Sequence, residues 1–423
     1  MKICVCSLGC KVNQYESDSL KNALKIRGHE IVAENEFADV FVINTCAVTN
    51  EAEKKSRKTV SRLRSLSPNA KIVVTGCAAQ KDPEQFFDLE NVAYVCGTKN
   101  KLALIDNLEN HKIEIEKFGT AYDEAYVPLA SQIRAYVKIQ DGCNNFCSYC
   151  IIPYLRGRSR SRNIVEILSE VSRLMESAKE IVITGINITD YRIDNEPAFC
   201  TLLEELSKFD IRIRIGSLEE TLVDEKFLKI ISGMKNLCPH FHLSLQSGSL
   251  EILKKMNRHY TPSEFFESIE KIRKILPKAN ISTDVIVGFP GEGEKEFVET
   301  YNFIKKVKFA SLHIFPYSKR SETVASKMPQ VHGTVKKERV LRLEKLNAKL
   351  QKNYIKKCRF GTYSLLIEEK KDGYFIGHTE NYVKCYLKAN KKSAEIGENM
   401  FASVKIRRCY LDGAKATLAR RKK

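Results

Sequence analysis

Ala135-Tyr-Val-Lys-Ile-Gln-Asp-Gly142-Cys143-Asn-Asn-Phe-Cys147-Ser-Tyr-Cys150 is the stretch on which the fold turns. Its apolar, β-branched first part predicts a strand over residues 135–139. Gly142 interrupts it, and three cysteines follow, separated by three and then two residues. A tight loop lets three thiolates face a common point, so this spacing suits a metal cluster. A tetrahedral structural zinc asks for a fourth ligand nearby, and the loop offers none. Zinc and simple packed thiols are the competing readings. Three protein ligands on a four-iron cluster leave one iron open to a further ligand.

On the C-terminal side, further β-branched runs occur at residues 180–188, 211–217, 240–246, 282–288 and 311–316, with helical stretches between them. Six such units predict a partial (β/α)6 barrel. Thr261-Pro-Ser-Glu264 fixes the start of one helix, because Thr caps, Pro suits the first turn and Glu closes a capping box. Ligands of βα barrels collect where strands run out into loops. Polar residues and glycines stand at those ends: Thr184, Gly185 and Asn187, then Ser217 and Glu219, Gln246, and Asp284 with Gly288. A glycine there is also what any turn would use. The cysteine spacing after the first strand of such a series resembles the radical S-adenosylmethionine (SAM) enzymes. The resemblance implies that Cys143, Cys147 and Cys150 hold a 4Fe-4S cluster whose open iron chelates SAM. It also implies that Tyr149 lies beside the adenine and that the strand-end residues contact the cofactor.

On the N-terminal side, residues 2–7, 39–44, 71–75 and 92–95 predict strands that alternate with amphipathic helices, the pattern of an open parallel α/β sheet. One helix over 15–27 ends at Gly28, which suits a left-handed cap, and Asn50 is placed to cap a second helix that runs to Leu66. Cys10, Cys46 and Cys77 each follow one of these strands. Strand ends of a parallel sheet share the edge where ligands bind, so the three thiols either meet at one site or are three separate strand-end cysteines. Gly9-Cys10-Lys-Val-Asn13-Gln-Tyr-Glu16, Asn44-Thr-Cys46-Ala-Val-Thr49 and Thr75-Gly-Cys77 are similar to the N-terminal domain of the methylthiotransferases. The resemblance implies a second 4Fe-4S cluster on Cys10, Cys46 and Cys77, which carries the sulfur that is transferred. Cys4 and Cys6 share a face of the first strand, either near that cluster or as core. Cys96, Cys200, Cys238, Cys358, Cys385 and Cys409 lack ligand-like spacing and read as structural thiols.

The whole chain is thus expected to be α/β: an open parallel α/β domain over residues 1–110, a linker over 111–132, a radical SAM partial barrel with a trailing helix over 133–357, and a small β-barrel over 358–423. That last segment resembles the RNA-binding TRAM module. The net charge of +18 is concentrated towards the C-terminus: residues 331–423, the trailing helix included, hold 24 Lys and Arg against 9 Asp and Glu, a net +15. Such a surface fits a polyanion, nucleic acid first, or is simply a solvated basic face. Arg156, Arg158, Arg160 and Arg162 alternate after the cysteine loop and either guide an RNA stem or form an exposed basic strand. Tyr382 either stacks on a base or packs in the small barrel.

No uncharged apolar run approaches the roughly 20 residues that cross a bilayer. The apolar run at residues 3–10 meets Lys11 and Glu16 without a cleavage signal, so a cytoplasmic protein with no membrane partner is expected. Gly9-Cys10-Lys-Val-Asn13-Gln-Tyr-Glu16, Asn44-Thr-Cys46-Ala-Val-Thr49-Asn50-Glu-Ala and Gln140-Asp-Gly-Cys143-Asn-Asn-Phe-Cys147 look most like the methylthiotransferases that modify N6-threonylcarbamoyladenosine at position 37, beside the tRNA anticodon. The resemblance implies methylthiolation at adenine C2, with the tRNA anticodon stem-loop and an unidentified electron donor protein as partners. Isopentenyladenosine in tRNA and an aspartate of a ribosomal protein are the alternative substrates, and a non-catalytic RNA-binding metalloprotein is the alternative class. Ser321-Glu-Thr323 departs from the family, where Gly-Thr is common.

Overall fold

In the computed structural model, residues 1–99, 101–119, 122, 133–390, 393 and 395–419 are described. They fall into two compact units, one of Met1–Leu174, Ile183–Ala198 and Ser318–Lys327, the other of Met175–Val182, Phe199–Tyr317 and Met328–Lys423.

The first unit is built on a six-stranded parallel sheet. Its elements are β1 (Lys2–Ser7), α1 (Lys11–Ile26), β2 (Glu30–Ile31), β3 (Val40–Thr45), α2 (Asn50–Leu66), β4 (Lys71–Gly76), α3 (Cys77–Lys81), α4 (Glu84–Phe87), β5 (Val92–Cys96) and β6 (Lys112–Glu114). The strand order is β2-β1-β3-β4-β5-β6. Every residue of β3 is buried, as expected of a central parallel strand covered on both faces. Gly28 takes φ +81, the left-handed cap anticipated from its position. The cap of α2 is Thr49 and not Asn50: Thr49 is extended and its hydroxyl accepts from the Ala52 N–H, while Asn50 is already the first helical residue. The stretch 111–132, expected to be irregular, opens with β6 on the sheet edge; 120, 121 and 123–132 lie outside the described residues.

The same unit continues with β7 (Arg134–Asp141), α5 (Ile152–Arg156), β8 (Arg160–Ser161) and α6 (Ile164–Leu174). β7 pairs antiparallel with β8 and lies beside β9 (Glu180–Gly185), whose last residues belong to this unit. A short hairpin of β10 (Arg192–Ile193) and β11 (Glu196–Pro197) follows. The turn at Ser321-Glu-Thr323 forms without a glycine. Thr323 donates from its N–H and its hydroxyl to the Arg320 carbonyl at 3.0 and 2.8 Å, and none of the three residues has positive φ.

The second unit carries α7 (Phe199–Leu206), β12 (Arg212–Ile215), β13 (Ser217–Leu218), α8 (Glu225–Gly233), β14 (His240–Leu243), α9 (Leu250–Lys255), α10 (Pro262–Ile275), β15 (Asn280–Val287), α11 (Glu294–Val307), β16 (Ser311–Pro316) and α12 (Gly333–Lys357). β13-β14-β15-β16 form a parallel sheet, and β12 lies beside the start of β9. The single strand expected over 211–217 is therefore two, broken at Gly216. The capping box at Thr261 is formed, with Thr261 Oγ1 accepting from Glu264 N and Glu264 accepting from Thr261 N.

The chain ends in a closed five-stranded barrel of β17 (Thr362–Lys371), β18 (Tyr374–Thr379), β19 (Lys384–Lys388), β20 (Phe401–Tyr410) and β21 (Gly413–Leu418). Leu365, Ile367, Cys385, Val404, Ile406 and Ala414 fill its core. The barrel is fastened to β12 and β15 of its own unit. Arg212 Nη2 donates to the Ser364 carbonyl at 2.9 Å and Asn280 Nδ2 to the Asn381 carbonyl at 3.0 Å. Tyr382, in the β18–β19 turn, is stacked between His240 and His378, with ring centroids 4.5 and 4.6 Å away, and lies 4.5 Å from the Arg214 guanidinium. Of the two readings of Tyr382, packing is the one observed.

Candidate functional site

Cys10, Cys46 and Cys77 come to one edge of the first unit because β1, β3 and β4 are neighbours in register. Ser7 lies opposite Asn44, and Thr45 opposite Gly76. Cys10 is the cap residue of α1, Cys46 directly follows β3, and Cys77 opens α3. Gly9, at φ +96, lets the Cys10 loop close in: a Cβ there would sit 2.6 Å from Cys46 Sγ. Asn13 fixes the same loop by donating to the carbonyls of Leu8 and Thr45 at 2.7 and 2.9 Å, which also explains why α1 begins four residues before the expected start. Thr45 Oγ1 accepts from the N–H groups of Ala78 and Ala79, both at 3.2 Å, and so caps the short α3 from across the sheet. Cys46 and Cys77 are buried and Cys10 is exposed. Burial first, and then the neighbouring thiols of Cys77 and Cys10, push Cys46 up to about 12. Desolvation raises Cys10 as well, so these two thiols resist ionisation unless a cation takes the proton's place.

Cys143, Cys147 and Cys150 sit half-buried in the loop between β7 and α5. Gly142 turns the chain at φ +72, where a Cβ would meet the Arg158 carbonyl carbon at 2.5 Å. Cys143 N donates to the Gly157 carbonyl at 3.1 Å, and Cys150 N to the Cys147 carbonyl at 2.9 Å. Phe146 takes φ +46, and the exposed Arg158 guanidinium lies 4.3 Å from its ring centroid. Gln140 joins this loop to the end of β9: its Nε2 donates to the Gly142 carbonyl at 2.7 Å, while its Oε1 accepts from Ile186 N and Asn187 N at 3.1 and 2.8 Å. The expected cofactor contacts of this unit therefore gather here. Asn187 Nδ2 lies 4.0 Å from Cys143 Sγ, Thr184 is buried, and Gly185 backs closely on Gln140. Tyr149 is half-buried in the loop.

Arg156, at the end of α5, reaches from Asp141, just before the Cys143 loop, to Cys77. Its Nε donates to Cys77 Sγ at 3.4 Å and its Nη2 to Asn13 Oδ1 at 2.9 Å. Its Nη1 reaches Glu16 Oε1 at 2.9 Å and both oxygens of Asp141 at 3.1 Å. Lys101 also binds Glu16, and donates to Asn44 Oδ1 at 2.9 Å. Lys138 binds Glu16 at 2.9 Å and Asp141 at 2.7 Å. All five charged side chains are at most 1% exposed. Burial alone would push Glu16 up, but Arg156, Lys101 and Lys138 together hold it well below the usual carboxylate range. Asp141 is likewise down at about 2, against burial, through Arg156 and Lys138. Arg160 Nη2 also lies 3.8 Å from Asp141 Oδ2, and the Arg156 guanidinium brings positive charge beside Cys77.

That arrangement corrects the reading of the alternating arginines as a row available to RNA. Arg156, Arg160 and Arg162 are buried. Arg160 Nη1 donates to the carbonyls of Arg156 and Arg158 at 2.9 and 3.0 Å, and Arg162 binds Glu170 and the Tyr15 hydroxyl. Only Arg158 of the four is exposed. Cys4 and Cys6, whose sulfurs lie 3.7 Å apart, pack in the core that includes Cys77.

In the second unit, Ser217 is exposed on β13, and Glu219 accepts from Arg258 Nη1 at 2.7 Å. Gln246 holds φ +65 after β14; its N–H donates to the Asp284 carbonyl and its own carbonyl accepts from Ile286 N, both at 2.9 Å. Gly288 is at φ +67 and donates from its N–H to Glu292 Oε1 at 2.8 Å. Asp284 lies 3.2 Å from both His242 Nε2 and His313 Nδ1.

The thiol sets can be tested against the size of group they suit. Among the described residues, the set of three His, Cys, Asp or Glu side chains whose ligand atoms all lie within 4.8 Å of one another is His242, Asp284 and His313; neither cysteine triplet is drawn that tight. One zinc at about 2.3 Å from sulfur would hold thiolates about 3.8 Å apart. The wider spacing, the all-sulfur donor sets and the adjacent positive charge fit an anionic multi-iron cluster better than a single ion.

Fold and cysteine loop together define a radical SAM enzyme. Residues 137–304 match the Radical SAM superfamily, and residues 2–97 match the family described as "Uncharacterized protein family UPF0004". The threonylcarbamoyladenosine tRNA methylthiotransferase MtaB of Bacillus subtilis is 39% identical over 405 residues, 91% of this chain and 90% of that one. Its counterpart in Thermotoga maritima is 35% identical and covers 96% of this chain and 94% of its own. The tRNA-2-methylthio-N(6)-dimethylallyladenosine synthase of Clostridium novyi is 36% identical, over 85% of this chain and 84% of its own. Among solved structures, the radical SAM methyltransferase TsrM of Kitasatospora setae shares the fold at a TM-score of 0.55 and 14% identity, over 77% of this chain and 74% of that one. The chain belongs to the radical SAM methylthiotransferase family, in the MtaB group, and is an enzyme that uses SAM and an iron–sulfur cluster. No helix among the described residues is long and apolar enough to cross a membrane.

Proposed function

We propose that this enzyme inserts a methylthio group at C2 of N6-threonylcarbamoyladenosine at position 37 of tRNA, using two 4Fe-4S clusters. The observation that carries the two-cluster reading is Arg156. One buried side chain binds Asp141, two residues before Cys143, and also donates to Cys77 of the other triplet. When bound, a cluster on Cys143, Cys147 and Cys150 supplies, with SAM, the radical needed to attack an unactivated C–H bond, and one on Cys10, Cys46 and Cys77 supplies the sulfur. The chain's own contribution is placement and charge. Arg156 offsets thiolate charge at Cys77, Gln140 locks the cysteine loop to Asn187, and Cys46 and Cys77 are buried while Cys10 stays open to the approaching substrate. The nucleoside follows from the named activity of the most similar relatives, and the basic C-terminal segment supplies phosphate contacts for tRNA, with residues 358–423 as the RNA-binding module. A separate protein donates the electrons.

Mass spectrometry of tRNA nucleosides from cells with and without the gene tests the substrate. Loss of 2-methylthio-N6-threonylcarbamoyladenosine is expected. Its persistence, with loss of the methylthio dimethylallyl nucleoside instead, would transfer the assignment to the activity named for the Clostridium novyi relative. For the sites, Cys143→Ala should abolish SAM cleavage, whereas Cys46→Ala should retain some cleavage and lose sulfur insertion. Equal and complete loss of cleavage in both variants would overturn the division of labour.

A further inference from the structure

His242, Asp284 and His313 come from three neighbouring strands of the second unit. Asp284 lies opposite His313 on β15 and β16, and His242 on β14 lies opposite Ser282, two residues before Asp284 and on the same face. Asp284 Oδ1 is 3.2 Å from His242 Nε2 and 3.2 Å from His313 Nδ1, and all three ligand atoms lie within 4.8 Å of one another. Bonds of about 2.1 Å to one ion set neighbouring ligand atoms roughly 3.0–3.4 Å apart, from octahedral to tetrahedral geometry. The two separations about Asp284 meet that range.

We propose that His242, Asp284 and His313 bind one divalent transition-metal ion, distinct from the iron–sulfur sites. The donor set is two imidazoles and one carboxylate, which suits manganese, iron, cobalt or zinc and leaves positions open for water or an oxygen-bearing ligand. The surroundings are built as metal sites are. Ser282 Oγ lies 3.0 Å from His242 Nδ1 and 3.4 Å from His240 Nε2, so the outer nitrogen of His242 is occupied and its Nε2 is turned to Asp284. The His242 and His313 rings stack at 5.0 Å, which fixes their mutual orientation. His242 is buried, Asp284 is 25% exposed and His313 is 58% exposed, so the open side gives an ion a way in.

The test uses full-length enzyme loaded with its clusters and titrated anaerobically with Mn2+, which prefers nitrogen and oxygen donors to thiols. Free Mn2+ is counted by its electron paramagnetic resonance signal. Wild type should bind one Mn2+ per chain, displaced by an equal amount of Zn2+. Asp284→Asn and His313→Gln should each weaken binding by about tenfold or more, a loss that even outer-shell changes cause. His313 is exposed, so its substitution is not expected to unfold the protein, and an unchanged iron content and melting temperature will certify this. A free signal that tracks added Mn2+ in the wild type overturns the proposal. So does wild-type affinity in either variant, which would leave two histidines sharing a carboxylate by hydrogen bonds alone.

Discussion

Replacing Arg156 with methionine removes a group that binds Asp141, two residues before Cys143, and donates to Cys77. The guanidinium binds Glu16, Asp141, Asn13 and Cys77 through bonds of 2.9–3.4 Å, with only 1% of the side chain exposed. Removing one partner of a buried ion pair costs about 3–5 kcal/mol, because the other charge stays buried. Here Lys101 and Lys138 remain to face Glu16, and Lys138 and Arg160 to face Asp141, so neither carboxylate is left without a cation and the loss falls near the lower limit, about 3 kcal/mol. For a unit of roughly 200 residues that is a fall in melting temperature of about 6–12 °C. Glu16→Gln should cost more, since it removes the carboxylate that Arg156, Lys101 and Lys138 share. Arg156→Lys keeps the charge but loses the fork, and should recover only part of the stability. Thermal unfolding followed by circular dichroism, with iron measured on the same samples, gives both readouts. A fall of less than about 2 °C in Arg156→Met, with full iron retained, would refute the claim that this network holds the sites together.

Burial pushes Glu220 up to about 7, from the 4.5 of an ordinary glutamate. The folded state holds this proton more tightly than the unfolded chain. Its stabilisation is therefore fully present below about pH 4.5 and is lost as pH rises through 7, about 3 kcal/mol in all. Urea unfolding across that range should show a slope that Glu220→Gln removes; the same slope in the variant would refute the assignment. Gly9→Ala should push Cys46 aside and lower iron to about half, because its Cβ would sit 2.6 Å from Cys46 Sγ. Gly28→Ala is the control. It has the same sign of φ with nothing within 4 Å, so iron should stay whole at a stability cost of about 1 kcal/mol.

The parts that a sequence expresses locally were legible. The strands at residues 2–7 and 311–316 have the bounds their β-branched runs suggest, and the capping box at Thr261 is formed. The α/β class with a terminal β-barrel is the fold observed. The cysteines could be grouped because each follows a strand, and parallel strands present their ends along one edge. The charge network was not legible, because Glu16 and Arg156 stand 140 residues apart and each alone looks like a surface charge. Arginines at every second position suggest an exposed strand. Instead α5 ends at Arg156 and β8 begins at Arg160, and the chain between them turns the guanidinium groups inward. One signal was present: Lys138 lies between Val137 and Ile139 in a strand buried along most of its length, a place where a cation needs partners. The meeting of His242, Asp284 and His313 depends on inter-strand register, which periodicity within single strands does not contain.

The fastening of the terminal barrel has a consequence for reach. Arg212, Arg214, Asn280 and His240 hold it at Ser364, Asn381 and Tyr382, so it does not swing on α12 like a bead on a string. Any RNA gripped by its basic surface is held at a set distance from β12, β14 and β15. The barrel and those strands therefore move as one piece.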